Sequence, residues 1–337
     1  MRVLLTGASG FIGSHVSAAL AAEGAEVRAF CRSPPPLRAM ASEWLRGDIT
    51  DPDAVTRAVE GCRLVVHTAA LYSYRRSESA LMHAVNVEGT RNVLEASVRA
   101  GVGRVLVTST SATCGPVPGR PATERDRPPA WELQVPYKRT KLTAERLALT
   151  ASDAGTEVLC VNPTTVVGEH DDQPTPSGKM VRDLVEGRMR AYLPRAGLNV
   201  VSVGDVARGH ALALARGRAG QRYILGGDDL ALREAFGVAL RAVGLPAPRW
   251  PVPWAGVYGV AVAVDVLARM AGREPRLLVR DEVRLSRTPL YFSSAKARRE
   301  LGYAPAPGTD ALAAAARWFA GQRRTAPSRG RVLAPAH

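Results

Sequence analysis

The run Thr6-Gly7-Ala8-Ser9-Gly10-Phe11-Ile12-Gly13 narrows what this chain can fold into more than any other stretch. It follows an apolar run, Val3 to Leu5, and precedes a helical pattern from Phe11 to Ala22, so its three glycines fall on a strand-to-helix turn. Gly7 permits a tight turn, Gly10 lets backbone approach a diphosphate, and Gly13 lets the helix pack closely on the strand. The N–H groups at the start of that helix suit an anion, and Ser9, Phe11 and Ile12 belong to the same cradle.

Strand and helix patterns then alternate. Strand-like runs recur at Glu26 to Phe30, Leu64 to His67, Val105 to Thr108 and Val158 to Val161, with helical patterns at Val85 to Ala100 and Tyr137 to Ala151. Such alternation predicts an α/β chain with a Rossmann doubly wound parallel sheet. After Pro163 the rhythm breaks into Pro174-Thr175-Pro176-Ser177-Gly178, and more helices follow. The expected division is a nucleotide-binding domain over 1–162 with about 199–226, and a smaller interleaved substrate lobe over 163–198 and 227–321. Residues 322–337, with Arg323, Arg324, Arg329 and Arg331 among Pro, Ser, Gly and Ala, read as a disordered basic tail. The apolar run Val257 to Val264 is too short to span a bilayer and is interrupted by Asp265 and Arg269, so a buried or lid helix of the small lobe is expected there.

Composition excludes several classes. The formal charge is +14, yet only four of the 45 basic residues are lysines and the arginines are dispersed, so no nucleic-acid partner is expected. Cys31, Cys62, Cys114 and Cys160 form no metal or disulfide pattern, and the six histidines show no HxxxH spacing. No metal, no export signal and a reducing, cytoplasmic compartment are the expectations.

Where the second strand ends, a site preferring NAD usually carries Asp or Glu, which holds the ribose hydroxyls and repels a 2′-phosphate. Here the residues are Cys31-Arg32-Ser33; Arg32 can pair with a 2′-phosphate and Ser33 can add a hydrogen bond. NADP(H) is therefore favoured, with NAD(H) as the alternative. Gly47-Asp48-Ile49 ends the third strand, where Asp48 can accept from the adenine amine, while Thr50 or Asp51 caps the next helix.

Tyr137 and Lys141 stand four residues apart, on one face of a helix. A nearby ammonium and a cationic nicotinamide favour the phenolate, which makes Tyr137 an acid/base candidate. The accompanying hydroxyl should stand near Thr108, itself beside the cofactor, at the end of the preceding strand, Val107-Thr108-Ser109-Thr110-Ser111-Ala112-Thr113. Several hydroxyls compete for that place.

These residues resemble the extended short-chain dehydrogenase/reductases, also called the NAD-dependent epimerase/dehydratase family, over nearly the whole chain. The strings Asn162-Pro163-Thr164-Thr165, Tyr223-Ile224-Leu225-Gly226-Gly227 and 292–303 are similar to the hopanoid-associated sugar epimerase, dihydroflavonol-4-reductase-like and 3β-hydroxysteroid-dehydrogenase-like groups. The resemblance places the catalytic hydroxyl at Thr110, or at Ser111 if the Ser-Ala-Thr string is the anchor. It assigns Ala69, Ala70, Asn86 and Pro163 to the cofactor's surroundings, and it implies a homodimer through helices near 78–100 and 137–151. Nucleotide-sugar enzymes of the family usually carry an Arg-Asp-aromatic run where this chain reads Leu198 to Asp205 without arginine.

Three functions follow. The first is NADPH-dependent reduction of a carbonyl on a small apolar metabolite by Thr110 or Ser111, Tyr137 and Lys141. The second is an NAD-dependent sugar epimerase or dehydratase, and the third a non-catalytic NADP(H) sensor.

Overall fold

The computed structural model describes residues 1–36, 38–73, 75–151, 155–271, 273 and 280–325. Among the described residues there are twelve strands: β1 Arg2–Thr6, β2 Glu26–Cys31, β3 Glu43–Arg46, β4 Leu64–His67, β5 Arg104–Thr108, β6 Glu157–Pro163, β7 Thr165–Val167, β8 Ala191–Tyr192, β9 Gly197–Ser202, β10 Arg222–Leu225, β11 Asp228–Ala231 and β12 Trp250–Pro251. Seven of them form one sheet in the order β10-β6-β5-β4-β1-β2-β3, every pairing parallel. The strand order reverses between β1 and β4, and ligands of such sheets bind beyond the strand ends at that reversal. Val3, Leu4, Leu5, Val65, Val66, Val105, Leu106, Val158 and Leu159 are fully buried, as strands covered on both faces require.

Helices α1 Phe11–Ala22, α2 Pro52–Val59, α3 Ser79–His83, α4 Gly89–Arg99, α5 Pro136–Thr150, α6 Pro176–Val185 and α7 Val203–Arg216 follow in order. A π-helical turn, Ala84–Glu88, joins α3 to α4. One face of the sheet is covered by α1 and α7, and α2, α4 and α5 pack against the other. Asp51 caps α2, accepting from the backbone N–H groups of Asp53 and Ala54.

The smaller part is built from β7, β9 and β11 in a three-stranded sheet, and from α6, α8 Leu232–Arg241, α9 Trp254–Met270, α10 Arg280–Leu285 and, beyond α11 Ala295–Leu301, which packs instead on α7 and β10, α12 Gly308–Thr325. The stretch 199–226 is shared: β9 lies in the small sheet, whereas β10 extends the large one. Two sequence expectations change. Residues 322–325, placed in the basic tail, continue α12, and the rest of that tail, with Arg329 and Arg331, lies outside the described residues. The apolar run 257–264 does form a helix, but only Ala261 and Asp265 of α9 are buried. No helix among the described residues is long and apolar enough to cross a membrane.

Candidate active site

The glycine turn is held by contacts that leave no room for side chains. Gly7 has φ +73°, and a Cβ there would stand 2.7 Å from the Ala69 nitrogen. A Cβ at Gly13 would stand 2.1 Å from the Gly7 carbonyl oxygen, so α1 rests directly on the end of β1. Helix α1 begins at Gly10 with no side chain capping its N-terminus, and Ser9 and Gly10 are exposed above it. An uncapped helix start with small exposed residues and the N–H groups of Phe11 and Ile12 fits the diphosphate of a dinucleotide.

Arg32 and Ser33 are exposed just past the end of β2. The Arg32 guanidinium lies 3.8 Å from the Asp48 carboxylate, which also accepts from the Thr50 backbone N–H and hydroxyl. Arg32 and Asp48 thus meet beside the ends of neighbouring strands. Ile49 points inward instead, buried against Gly89 of α4.

His67, at the end of β4, is a satisfied core histidine. Its Nε2–H donates to Thr90 Oγ1 at 3.0 Å, because the Thr90 hydroxyl donates onward to the Asn86 carbonyl; its Nδ1 then accepts from Thr6 at 2.7 Å. Burial holds the ring neutral, its pKa lowered to about 3. Asn86 continues the chain of contacts: its side chain accepts from the Leu71 N–H and donates to the Leu71 carbonyl and to Thr140 on α5. Its amide thus fixes Leu71 and ties that segment to α5. Ala69 lies against the glycine turn, and Ala70 is exposed beside it.

At the end of β5 the hydroxyl residues separate by role. Thr108 hydrogen-bonds His210 of α7 at 2.9 Å, and its carbonyl accepts from Lys141 Nζ at 2.7 Å. Ser109 Oγ is buried without a partner. Thr110 caps a short 3-10 turn, Ser111–Thr113, accepting from the Ala112 N–H, and its side chain is the one that acts on the Tyr137 phenol. Ser111 is buried within that turn. Pro163 ends β6, paired with Leu225 of β10.

Pro136 opens α5, its fixed φ suiting a first helical position, so Tyr137 and Lys141 project from the first two turns toward the end of β5. In the protein alone burial pushes Tyr137 up to about 12, with Thr110 opposing the rise; the expected lowering depends on the cationic nicotinamide as well as on Lys141. The Lys141 ammonium is itself desolvated, its pKa brought down to about 8, and one of its three N–H groups donates to the Thr108 carbonyl. The protein alone therefore holds Tyr137 as a protonated phenol. Tyr72 covers it, ring centroids 4.2 Å apart; by sequence Tyr72 is either a residue reaching over the substrate or part of a solvated loop. Its neighbour Tyr74 lies outside the described residues.

Beneath this face lies a buried charged cluster with no sequence motif of its own. Glu145, one helical turn beyond Lys141, accepts from Arg222 at 2.5 Å, from Asn162 at 2.5 Å and from Thr113 at 2.8 Å. Arg222 also donates to the carbonyls of Glu124 and Asp126. Lys138, next to Tyr137, forms a second buried ion pair with Glu132. The position of Glu145 four residues after Lys141 was a usable sign; Arg222, 77 residues further on, carried none. Among the described residues no cluster of His, Cys, Asp and Glu could hold a metal, and all four cysteines are free and buried.

The model of the NAD dependent epimerase/dehydratase family matches residues 3–226. The chain belongs to that family. It is an NAD(P)-dependent enzyme of the extended short-chain dehydrogenase/reductase type. A Synechocystis sp. protein, named provisionally as a dihydroflavonol 4-reductase, is 36% identical over 94% of this chain and 93% of its own. Sterol demethylase protein B of Methylococcus capsulatus is 34% identical over 95% and 98%. The crystal structure of gox2253 superposes with a TM-score of 0.83 at 38% identity, covering 96% of this chain and 99% of that one.

Proposed function

We propose that the protein reduces a carbonyl group on a small, largely apolar metabolite, with NADPH as the preferred reductant. The observation that carries this reading is the placement of Tyr137, with Thr110 at its phenol, on the helix that also carries the buried Lys141, at the strand ends where the glycine turn opens. When bound, the dinucleotide supplies the hydride. Tyr137, protonated by virtue of its burial, donates the proton to the substrate oxygen, and Thr110 hydrogen-bonds that oxygen as negative charge develops on it. Lys141 orients the nucleotide's ribose and places a positive charge behind the phenol. Tyr72 shields the pair from water. Arg32 receives the 2′-phosphate in place of Asp48, and Ser33 adds a hydrogen bond.

The substrate class is read from the small lobe. In nucleotide-sugar enzymes of the family an arginine precedes the start of α7; here that stretch is β9, and its Asn199 is wholly used in structure. The Asn199 amide donates to Asp229, Gly227 and Phe292 and accepts from the Gly227 N–H. None of the described residues of β9, Gly197–Ser202, is a cation that could clamp a diphosphate. The names of the reductase and sterol-processing relatives support an apolar carbonyl substrate. A homodimer through α4 and α5, supported by the family likeness, completes the reading.

Following NADPH absorbance with a panel of aliphatic, aromatic and steroidal ketones tests it directly. Turnover of at least one apolar ketone, lost in Tyr137→Phe, is expected. Turnover of nucleotide sugars without net redox, and of no ketone, would contradict it.

A further inference from the structure

Helix α9 presents to solvent a face that a soluble lobe would ordinarily bury. Gly256, Val260, Ala263, Leu267 and Met270 recur at three- and four-residue spacing and are all exposed, so they form one stripe. Val260 is 53% exposed, Leu267 65% and Met270 81%, and Trp250, just before the helix, is 70% exposed. The opposite face meets α10: Trp254 donates to the Val283 carbonyl, and Arg280 reaches the Tyr258 hydroxyl and Asp265. The stripe itself is uncovered among the described residues.

Charge says what covers it. The one acid of α9, Asp265, is turned inward and paired with Arg269 at 2.9 Å. Exposed Arg249 flanks the stripe at its first end, beside Trp250, and Arg269 and Arg273 flank it at the other. A second copy laid on the stripe in either direction would bring arginines onto arginines, which disfavours self-association. With 17 residues the helix is about 25 Å long, suited to lying in a membrane interface rather than crossing it. An apolar stripe, an exposed indole at one end and cations at both ends complement an anionic bilayer surface. We propose that α9 is a membrane-docking helix that seats the protein on anionic lipid. The helix belongs to the lobe that borders the active site, since Arg284 of its partner α10 lies 4.3 Å over Trp131, five residues before Pro136. Docking would thus bring the candidate site to a surface in which apolar carbonyl compounds dissolve.

Co-sedimentation of the full chain with phosphatidylcholine vesicles, with and without phosphatidylglycerol, tests this. Binding that requires phosphatidylglycerol and weakens with salt is expected. Val260→Glu and Leu267→Glu should each cut the bound fraction about tenfold or more, with the circular dichroism spectrum and nucleotide binding unchanged, because both positions are exposed. No binding to either vesicle would overturn the proposal. So would binding that survives both substitutions, which would assign it to the remaining basic surface. A wild-type oligomer that Leu267→Glu dissociates would show that another copy covers the stripe and would equally overturn it. The assay reads no catalysis, so it can fail independently of the proposed reductase activity.

Discussion

The Thr110 side chain reaches the Tyr137 phenol and opposes the rise that burial imposes on its pKa. Lys141 donates one N–H to the Thr108 carbonyl, and burial raises the phenol to about 12. If Tyr137 is the proton donor and Thr110 its companion, Tyr137→Phe should lower kcat about a hundred- to ten-thousand-fold with nucleotide affinity intact. Thr110→Ala should cost about a hundredfold, and Ser111→Ala should leave kcat nearly unchanged. Steady-state kinetics of the three variants checks this; a larger loss in Ser111→Ala than in Thr110→Ala would exchange their roles.

Lys141 should set the alkaline limit of activity. Its pKa is lowered to about 8, so the ammonium is present below that pH and is lost as pH rises through it, whereas Tyr137 stays protonated throughout. The value of kcat/KM for the nucleotide should therefore fall above about pH 8. Lys141→Arg, charged at every accessible pH, should remove that limb from the profile even if it lowers the plateau. A limb that persists unchanged in Lys141→Arg would assign it to another group.

The Arg222–Glu145 pair should be a stability determinant. Arg222 is 5% exposed and Glu145 2%, and the guanidinium also holds two backbone carbonyls. Arg222→Ala strands a buried carboxylate and should destabilise the fold by about 3–5 kcal/mol, read as a shift of the urea midpoint. A loss below about 1 kcal/mol would mean that water replaces the arginine.

Local pattern made the turn at Gly7 to Gly13 legible, together with the parallel sheet and the Tyr137/Lys141 face, because each is set by residues within one strand or one helical turn. What escaped it is set by distance. Thr6, His67 and Thr90 meet across three elements, and Arg222 reaches Glu145 from the far edge of the sheet. The desolvation of the Tyr137 phenol also lay beyond local pattern, since it depends on what packs against it from other elements, Tyr72 among them. For α9 the apolar run left a buried or a lid helix open, and only the packing of the described neighbours shows that one face is uncovered.

Nucleotide binding by the purified protein tests the central claim most directly. Titration with NADPH and NADH, together with analysis of the nucleotide released on denaturation, should show exchangeable binding that favours NADPH, and Arg32→Asp should abolish that preference. Protein that carries stoichiometric NAD and does not exchange it would contradict the reductase account and point to an epimerase or dehydratase that recycles its own cofactor.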